Sequence, residues 1–383
     1  MEISSLNSKL PNTGTSIFAV MSGLAIEHNA INLSQGFPDF PISEELIDRV
    51  NYYMKEGYNQ YAPMPGVISL RKAISEMFEQ NHNSYYNPDT EITIAAGATQ
   101  ALFTAISAFI NKGDEAIILE PAYDSYAPAV ELNGGRVKRS KLLFPEYKIN
   151  REEIAALVTG KTRLLIINSP HNPTGSLLQK EDMEFIQKLC KGTDIIVISD
   201  EVYEHLIFEK HQHESACRFS ELEKRSIVIG SFGKTFHATG WKTGFALAPE
   251  YLMKEFRKVH QFTVFASNTP IQYAISDYIK KPENYNYLGD FFQKKRDIFV
   301  NALAGSKFKP LTCLGTYFQL LDYSRISDEK ELDFAKRLTI EHGIASVPVS
   351  PFYKYGEENQ SLRFCFAKEE STLLKAAEIL CKI

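Results

Sequence analysis

Cysteine is sparse and unpatterned. The five residues, Cys190, Cys217, Cys313, Cys365 and Cys381, form no CxxC pair, and none lies within metal-ligand spacing of a histidine. A disulfide framework is therefore not expected. Free, mostly buried thiols in a reducing compartment are, and the cytoplasm is the expected location. An excess of positive charge is missing too: 42 Lys and Arg against 47 Asp and Glu leave a net charge of −5. Such a chain has no field to hold a phosphate backbone, so no nucleic acid partner is expected. Long apolar runs are absent; the longest, residues 101–110, stops at Asn111-Lys112, and no membrane partner is expected. The opening MEISSLNSKL has neither the basic start nor the apolar stretch of a secretory signal. Repeats, low-complexity tracts and long single-sign charge runs are lacking as well.

What is present is enough apolar material for a sizeable core: 44% of 383 residues. At about 150 residues per domain, two or three domains are expected, or one large domain with an appendage. Six short apolar runs, at 91–95, 115–119, 163–168, 194–199, 226–230 and 244–248, read as strands. Several lack alternation, as strands covered on both faces do. Helix-like segments such as 99–110 and 180–190 separate them, which points to an α/β layer with a mostly parallel sheet. After Lys281-Pro282 the pattern changes to a charged helix at 284–304, alternating strands at 315–320 and 361–366, and a last helix at 371–383. That is the outline of a smaller α+β domain. The first forty residues are polar, with Gly and Pro, and read as an arm.

Open α/β sheets bind ligands at the carboxyl ends of their strands, so charged residues there are the first candidates. Asp200 ends DIIVISD, with Glu201 and Tyr203 just beyond, and Lys234 follows SIVIGSFGK. A charge set against a buried sheet costs several kcal/mol unless paired, and mutual pairing of Asp200 with Lys234 remains one reading. Gly233-Lys234-Thr235 is not a P-loop, because the required earlier glycine is Val228. His211-Gln-His213 lies among polar residues with no third ligand, so a solvated loop and no metal site are expected.

Three motifs in fixed order narrow the choice: Asn168-Ser-Pro-His-Asn172-Pro-Thr-Gly175, Ser199-Asp200-Glu-Val-Tyr203, and Ser231-Phe-Gly-Lys234-Thr-Phe-His-Ala-Thr-Gly-Trp-Lys242-Thr-Gly. Together they resemble the class I aminotransferases of fold type I, which use pyridoxal 5′-phosphate (PLP). SQGFPDF, QYAPMPG, Gly97-Ala-Thr-Gln and Leu362-Arg-Phe-Cys-Phe-Ala-Lys extend the resemblance over nearly the whole chain. SQGFPDF and TGWKTG are similar to the kynurenine/glutamine aminotransferase branch, while QYAPMPG, EPAYDSYAPA and ISDEVYEH are closer to bacterial methionine aminotransferases. The resemblance implies an α/β fold with a mostly parallel seven-stranded sheet and a smaller α+β domain. Its implied division is an N-terminal arm (1–31), a small domain (32–48 and 282–383) and a large PLP-binding domain (49–281).

The chemistry requires an amine that condenses with the cofactor and then moves a proton; lysine is both nucleophile and, once free, a general base, and Lys234 is the candidate. The cofactor ring nitrogen needs a carboxylate to stay protonated. Asp200 suits this by resemblance, and Glu201 is the weaker rival. Asn172 and Tyr203 would hydrogen-bond the phenolate oxygen of the cofactor. Gly97, Ala98 and Thr99 lie between a strand and a helix, where backbone N–H groups can cup a phosphate, with Ser231 and Lys242 adding a hydroxyl and a cation. Distant members often carry Arg at the Lys242 position; lysine supplies a point charge without the bidentate fork. Tyr123 is placed to stack on the cofactor ring. By resemblance Arg363 is the clamp for the substrate α-carboxylate, with Gly36 and Asn172 alongside, and Tyr61 reaches the cofactor phosphate of a partner subunit.

The expected protein is thus a homodimeric PLP-dependent aminotransferase with shared active sites, acting on an amino acid and a 2-keto acid with ping-pong kinetics. Aspartate-type enzymes need a second arginine, and residues 260–268 hold none. Ile17, Phe18, Tyr61 and Tyr123 suggest an apolar, aromatic pocket instead. Methionine suits it best, followed by glutamine, Phe, Tyr and kynurenine. A cysteine-S-conjugate β-lyase using the same residues is the alternative.

Overall fold

Apolar strands without polar alternation need cover on both faces, and the fold supplies it. The computed structural model describes residues 7–11 and 13–383, so residues 1–6 and 12 of the expected arm lie outside the described residues. In chain order the strands are β1 (Ile31–Asn32), β2 (Ile92–Ala95), β3 (Glu115–Glu120), β4 (Arg136–Lys141), β5 (Thr162–Asn168), β6 (Ile196–Asp200) and β7 (Ser226–Ser231). They continue with β8 (Gly244–Leu247), β9 (Lys309–Pro310), β10 (Phe318–Asp322), β11 (Ile344–Ala345), β12 (Val347–Pro348) and β13 (Ser361–Cys365). Seven of them form the large sheet, in the order β2-β8-β7-β6-β5-β3-β4. Only β8 runs against its neighbours, antiparallel to both β2 and β7. Accordingly β2 to β7 end on one edge.

Successive residues in each central strand serve opposite cores, which is why the sequence shows no polar face. Ile166, Ile198 and Ile229 pack with Leu102, Ile106, Met253 and Phe256 of the helices Ala98–Phe109 and Glu250–Thr263. Leu165, Ile167, Val197 and Val228 face the other way, onto Ile74, Phe78, Met183 and Ile186 of the helices Ile68–His82 and Lys180–Cys190. Each such side chain, fully removed from water, contributes about 1.5–3 kcal/mol.

The sequence reading has no counterpart to β4. RVKRSK is charged and pairs only with β3, so it is an edge strand whose lysines and arginines blunt further pairing. The second sheet, β12-β13-β10-β9, is antiparallel throughout. Within it Arg363 of β13 stands opposite Leu320 of β10. Part of the expected arm is not free: Ile17–Glu27 is a helix, capped by Ser16, whose Met21 is buried in the main core and whose Ala25 is buried too. β1 then pairs with β11 in parallel. All five cysteines are free, four of them buried. Among the described residues no helix is long and apolar enough to cross a membrane.

Candidate active site

The carboxyl-terminal edge of the large sheet gathers most of the residues singled out above. Asp200 is the last residue of β6, 4% exposed, and Asn168, its neighbour in register, is the last of β5. The Asn168 amide donates to the Asp200 backbone carbonyl at 2.9 Å, and its own oxygen accepts from the Asn172 backbone N–H at 2.9 Å. Strand pairing thus sets the loop carrying Asn172 beside the carboxylate. Lys234 follows β7 in the short helix Phe232–Thr235. One cavity is lined by Ala98, Thr99, Tyr123, Asn172, Asp200, Tyr203 and Lys234. Lys234 and Asp200 both face it.

Burial sets the electrostatics. Removed from water, the Asp200 carboxyl is pushed up to about 6, although Tyr126 donates its hydroxyl to it at 2.6 Å. Desolvation pulls the Lys234 amine down to about 8, helped by the positive charge of Arg363. The amine donates to the Tyr317 hydroxyl at 3.0 Å and to the Gly36 carbonyl at 3.4 Å. Glu201 turns away: its oxygens accept from Ser199 and from the Ala216 N–H, and one lies 2.7 Å from His213 Nε2. That contact corrects the solvated-loop expectation, because His213 is only 8% exposed. Among the described residues no cluster of three or more ligand-type side chains could hold a metal.

Gly97 precedes the helix Ala98–Phe109, whose first turn has no side-chain cap. Its φ of +83° favours glycine, and a Cβ there would sit 3.4 Å from Lys242 Nζ. Ser231 pairs in register with Gly244, where an added Cβ would lie 3.0 Å from Ala98 N. The uncapped helix start and the Lys242 ammonium thus lie together beside Ala98 and Thr99, which line the cavity, and Ser231 is the register partner of the glycine packed against Ala98. Tyr123 places its hydroxyl 3.4 Å from Thr99 Oγ1.

Arg363 is 1% exposed and lowered by burial to about 10. It donates to Asn172 Oδ1 at 2.8 Å and to the Ser34 carbonyl at 2.9 Å, while its Nε is buried with no partner. The Phe318, Phe18 and Phe352 rings surround the guanidinium at 3.9, 5.0 and 5.8 Å. Ile17 begins the same helix as Phe18 but packs on the main core. Tyr61 is not brought to the cavity by its own chain: it is 84% exposed, edge-on to Phe265, on a separate depression lined by Asn268 and Thr269.

Sequence reasoning missed Tyr126, Tyr317 and Phe352. Tyr126 belongs to EPAYDSYAPA, but no periodicity says that it points at Asp200. Tyr317 belongs to a strand-like run in which neighbouring aromatics look alike.

A buried carboxylate facing a depressed lysine, with an uncapped helix end and an arginine holding an idle donor, fits an anionic aldehyde cofactor and an amino acid. This is the donor set of a PLP-dependent transferase of fold type I. The chain belongs to the family described as aminotransferase class I and II, whose model matches residues 28–380. It is 48% identical over 374 residues to the methionine aminotransferase of Escherichia coli (strain K12), with 97% of each chain covered. It is 35% identical to a kynurenine–oxoglutarate transaminase of Dictyostelium discoideum, covering 97% of this chain and 94% of that one. Among solved structures, YbdL of Escherichia coli, identified there with a methionine aminotransferase function, superposes with a TM-score of 0.97 at 47% identity, covering 99% of this chain and all of the other. The chain is an aminotransferase, and its cofactor is PLP.

Proposed function

We propose that this enzyme moves the α-amino group of methionine, or of another neutral amino acid, to a 2-keto acid, with Lys234 as the catalytic amine. Bound PLP would supply an aldehyde and an electron-withdrawing ring. Asp200, ionised above about pH 6, would hold the ring nitrogen in its protonated form. Asn172 and Tyr203 would orient the ring by hydrogen bonds at its phenolate oxygen, and Tyr123 would stack on it. Gly97, Ala98, Thr99, Ser231 and Lys242 would hold its phosphate. Arg363, with Gly36 and Asn172 alongside, would fix the substrate carboxylate, leaving the Cα proton within reach of Lys234.

The observation that carries the substrate class is the surround of Arg363. Three phenyl rings enclose it, and Asp124 lies near enough to act on its charge. The lining of the Lys234 cavity has Asp200 and Lys234 as its charged groups and no arginine of its own; Arg363 reaches it through Asn172. A substrate side-chain carboxylate would meet aromatic carbon and a like charge. The relatives named for methionine and kynurenine point the same way. An amino-donor screen with keto-acid products identified tests the reading. Methionine is expected to exceed aspartate in kcat/KM by about a hundredfold or more; equal turnover would refute it.

We also infer a homodimer with shared sites. Tyr61 and Phe262 are 84% and 86% exposed, and Phe265 lies against Tyr61. Aromatic surface of this kind is more often an interface than a free face. A second chain seated there would bring Tyr61 to its cofactor phosphate.

A further inference from the structure

The hydroxyl nearest the Lys234 amine belongs to Tyr317, which nothing in the sequence marks. Tyr317 is fully buried, edge-on to Tyr203 at 5.2 Å and against Phe318 at 4.8 Å. Phenylalanine would fill that space equally well. A buried hydroxyl is costly unless partnered, and this one has partners in two directions. It donates its proton to the Gly36 carbonyl at 2.7 Å and accepts from Lys234 Nζ at 3.0 Å.

The backbone before it is held in place. The N–H groups of Leu314 and Gly315 both donate to the Gly175 carbonyl, and that of Thr316 donates to Leu206. A Cβ at Gly315 would lie 2.8 Å from the Leu206 oxygen, and Thr316 takes a φ of +69°. These contacts tie the start of β10 to the loops after β5 and β6, and so deliver the ring to the lysine.

The direction of the hydrogen bonds has a chemical consequence. A tyrosine whose one proton is already given to Gly36 can only accept from the amine. A neutral lysine amine has two N–H groups, and Tyr317 and Gly36 take both. Its lone pair is then left unengaged.

We propose that Tyr317 is a further catalytic residue: anchored on Gly36, its hydroxyl holds the free Lys234 amine and turns the lone pair of that amine into the cavity. The proposal rests on Lys234 being the amine that serves the cofactor. An ammonium donates more strongly to a phenol than an amine does, so the hydroxyl also supports the charged form.

The test is Tyr317→Phe, with folding checked by thermal melting. In the apoprotein, competitive acetylation with acetic anhydride, quantified on the Lys234 peptide across pH, is expected to show a midpoint lower by about one pH unit. In the holoenzyme, kcat is expected to fall by about ten- to a hundredfold with KM for methionine unchanged. Both must move. An unmoved acetylation midpoint, with or without a fall in kcat, would overturn the proposal and mark the ring as packing; a moved midpoint with unchanged kcat would overturn the catalytic role. Incorporating 3-fluorotyrosine at position 317 keeps ring and hydroxyl but weakens the acceptor, and a smaller shift in the same direction is expected even where Tyr317→Phe melts. Borohydride reduction of holoenzyme separates the premise from the proposal. A label on a lysine other than Lys234 fails the premise, whereas a label on Lys234 beside a silent Tyr317→Phe fails the proposal alone.

Discussion

Lys234, Asp200 and Arg363 are charged groups taken out of water, and each trades stability for chemistry. The folded amine loses its proton near pH 8 because of desolvation, against about 10.4 for a free lysine. Between those values the folded chain binds fewer protons than the unfolded one, so stability rises with pH across that window. Below it the penalty is present in full. Lys234→Met in the apoprotein is therefore expected to raise the unfolding free energy by about 3 kcal/mol at pH 7 and by under about 1 kcal/mol at pH 10. Urea melts at the two pH values would show it, and a gain that does not shrink at the higher pH would contradict the assignment. Arg363 acts by shape as well as by charge. Arg363→Lys keeps the charge but loses the planar fork and strips Asn172 Oδ1 of its donor. A fall in kcat/KM of about a hundredfold is expected, with cofactor affinity unchanged in a spectroscopic titration.

Elements matter where they bring backbones together. The N-terminus of the helix Ala98–Phe109 can approach β8 closely because residue 244 has no side chain: a Cβ there would lie 2.7 Å from the Gly230 oxygen and 3.0 Å from Ala98 N. Gly244→Ala is expected to push the helix end off the sheet and raise the dissociation constant for PLP by about tenfold or more, read from cofactor absorbance on dilution. On the far side of β6, Glu201 and His213 form a buried pair, in which the carboxylate outweighs desolvation and raises the imidazole. His213→Ala leaves that carboxylate in the core without a counter-charge, held only by Ser199 and the Ala216 N–H. A loss of about 3 kcal/mol or more in chemical denaturation is expected, and a neutral substitution would show that the pair bears no weight.

At the scale of the whole molecule the question is where Tyr61 goes. If it completes a partner's site, Lys234→Ala chains and Tyr61→Ala chains should each be poorly active alone. Refolded together, they should form heterodimers with one site that has both residues, and activity should reappear. Heterodimers confirmed by mass but without recovery would mean that Tyr61 serves its own chain.

The local order of residues by itself determined a good deal here. Apolar runs of five or six residues marked six strands of the large sheet, because a strand buried on both faces carries no polar alternation. Strand ends pointed to Asp200 and Lys234, and the resemblance of NSPHNPTG, SDEVY and SFGKTFHATGWKTG to aminotransferase motifs singled them out together with Asn172 and Tyr203, because each motif keeps its candidate residues within a short stretch of chain. Tertiary structure decided what depends on pairs far apart in the chain. β4 is a strand only because β3 offers it an edge. His213 is buried beside Glu201, which pairs with it, and residues 17–27 leave the arm because the main core receives Met21. Tyr317 meets a lysine 83 residues earlier through a turn held by Gly175 and Leu206. No local pattern encodes such meetings, since an aromatic in a buried strand looks the same whether its hydroxyl faces a carbonyl, a catalytic amine or nothing at all.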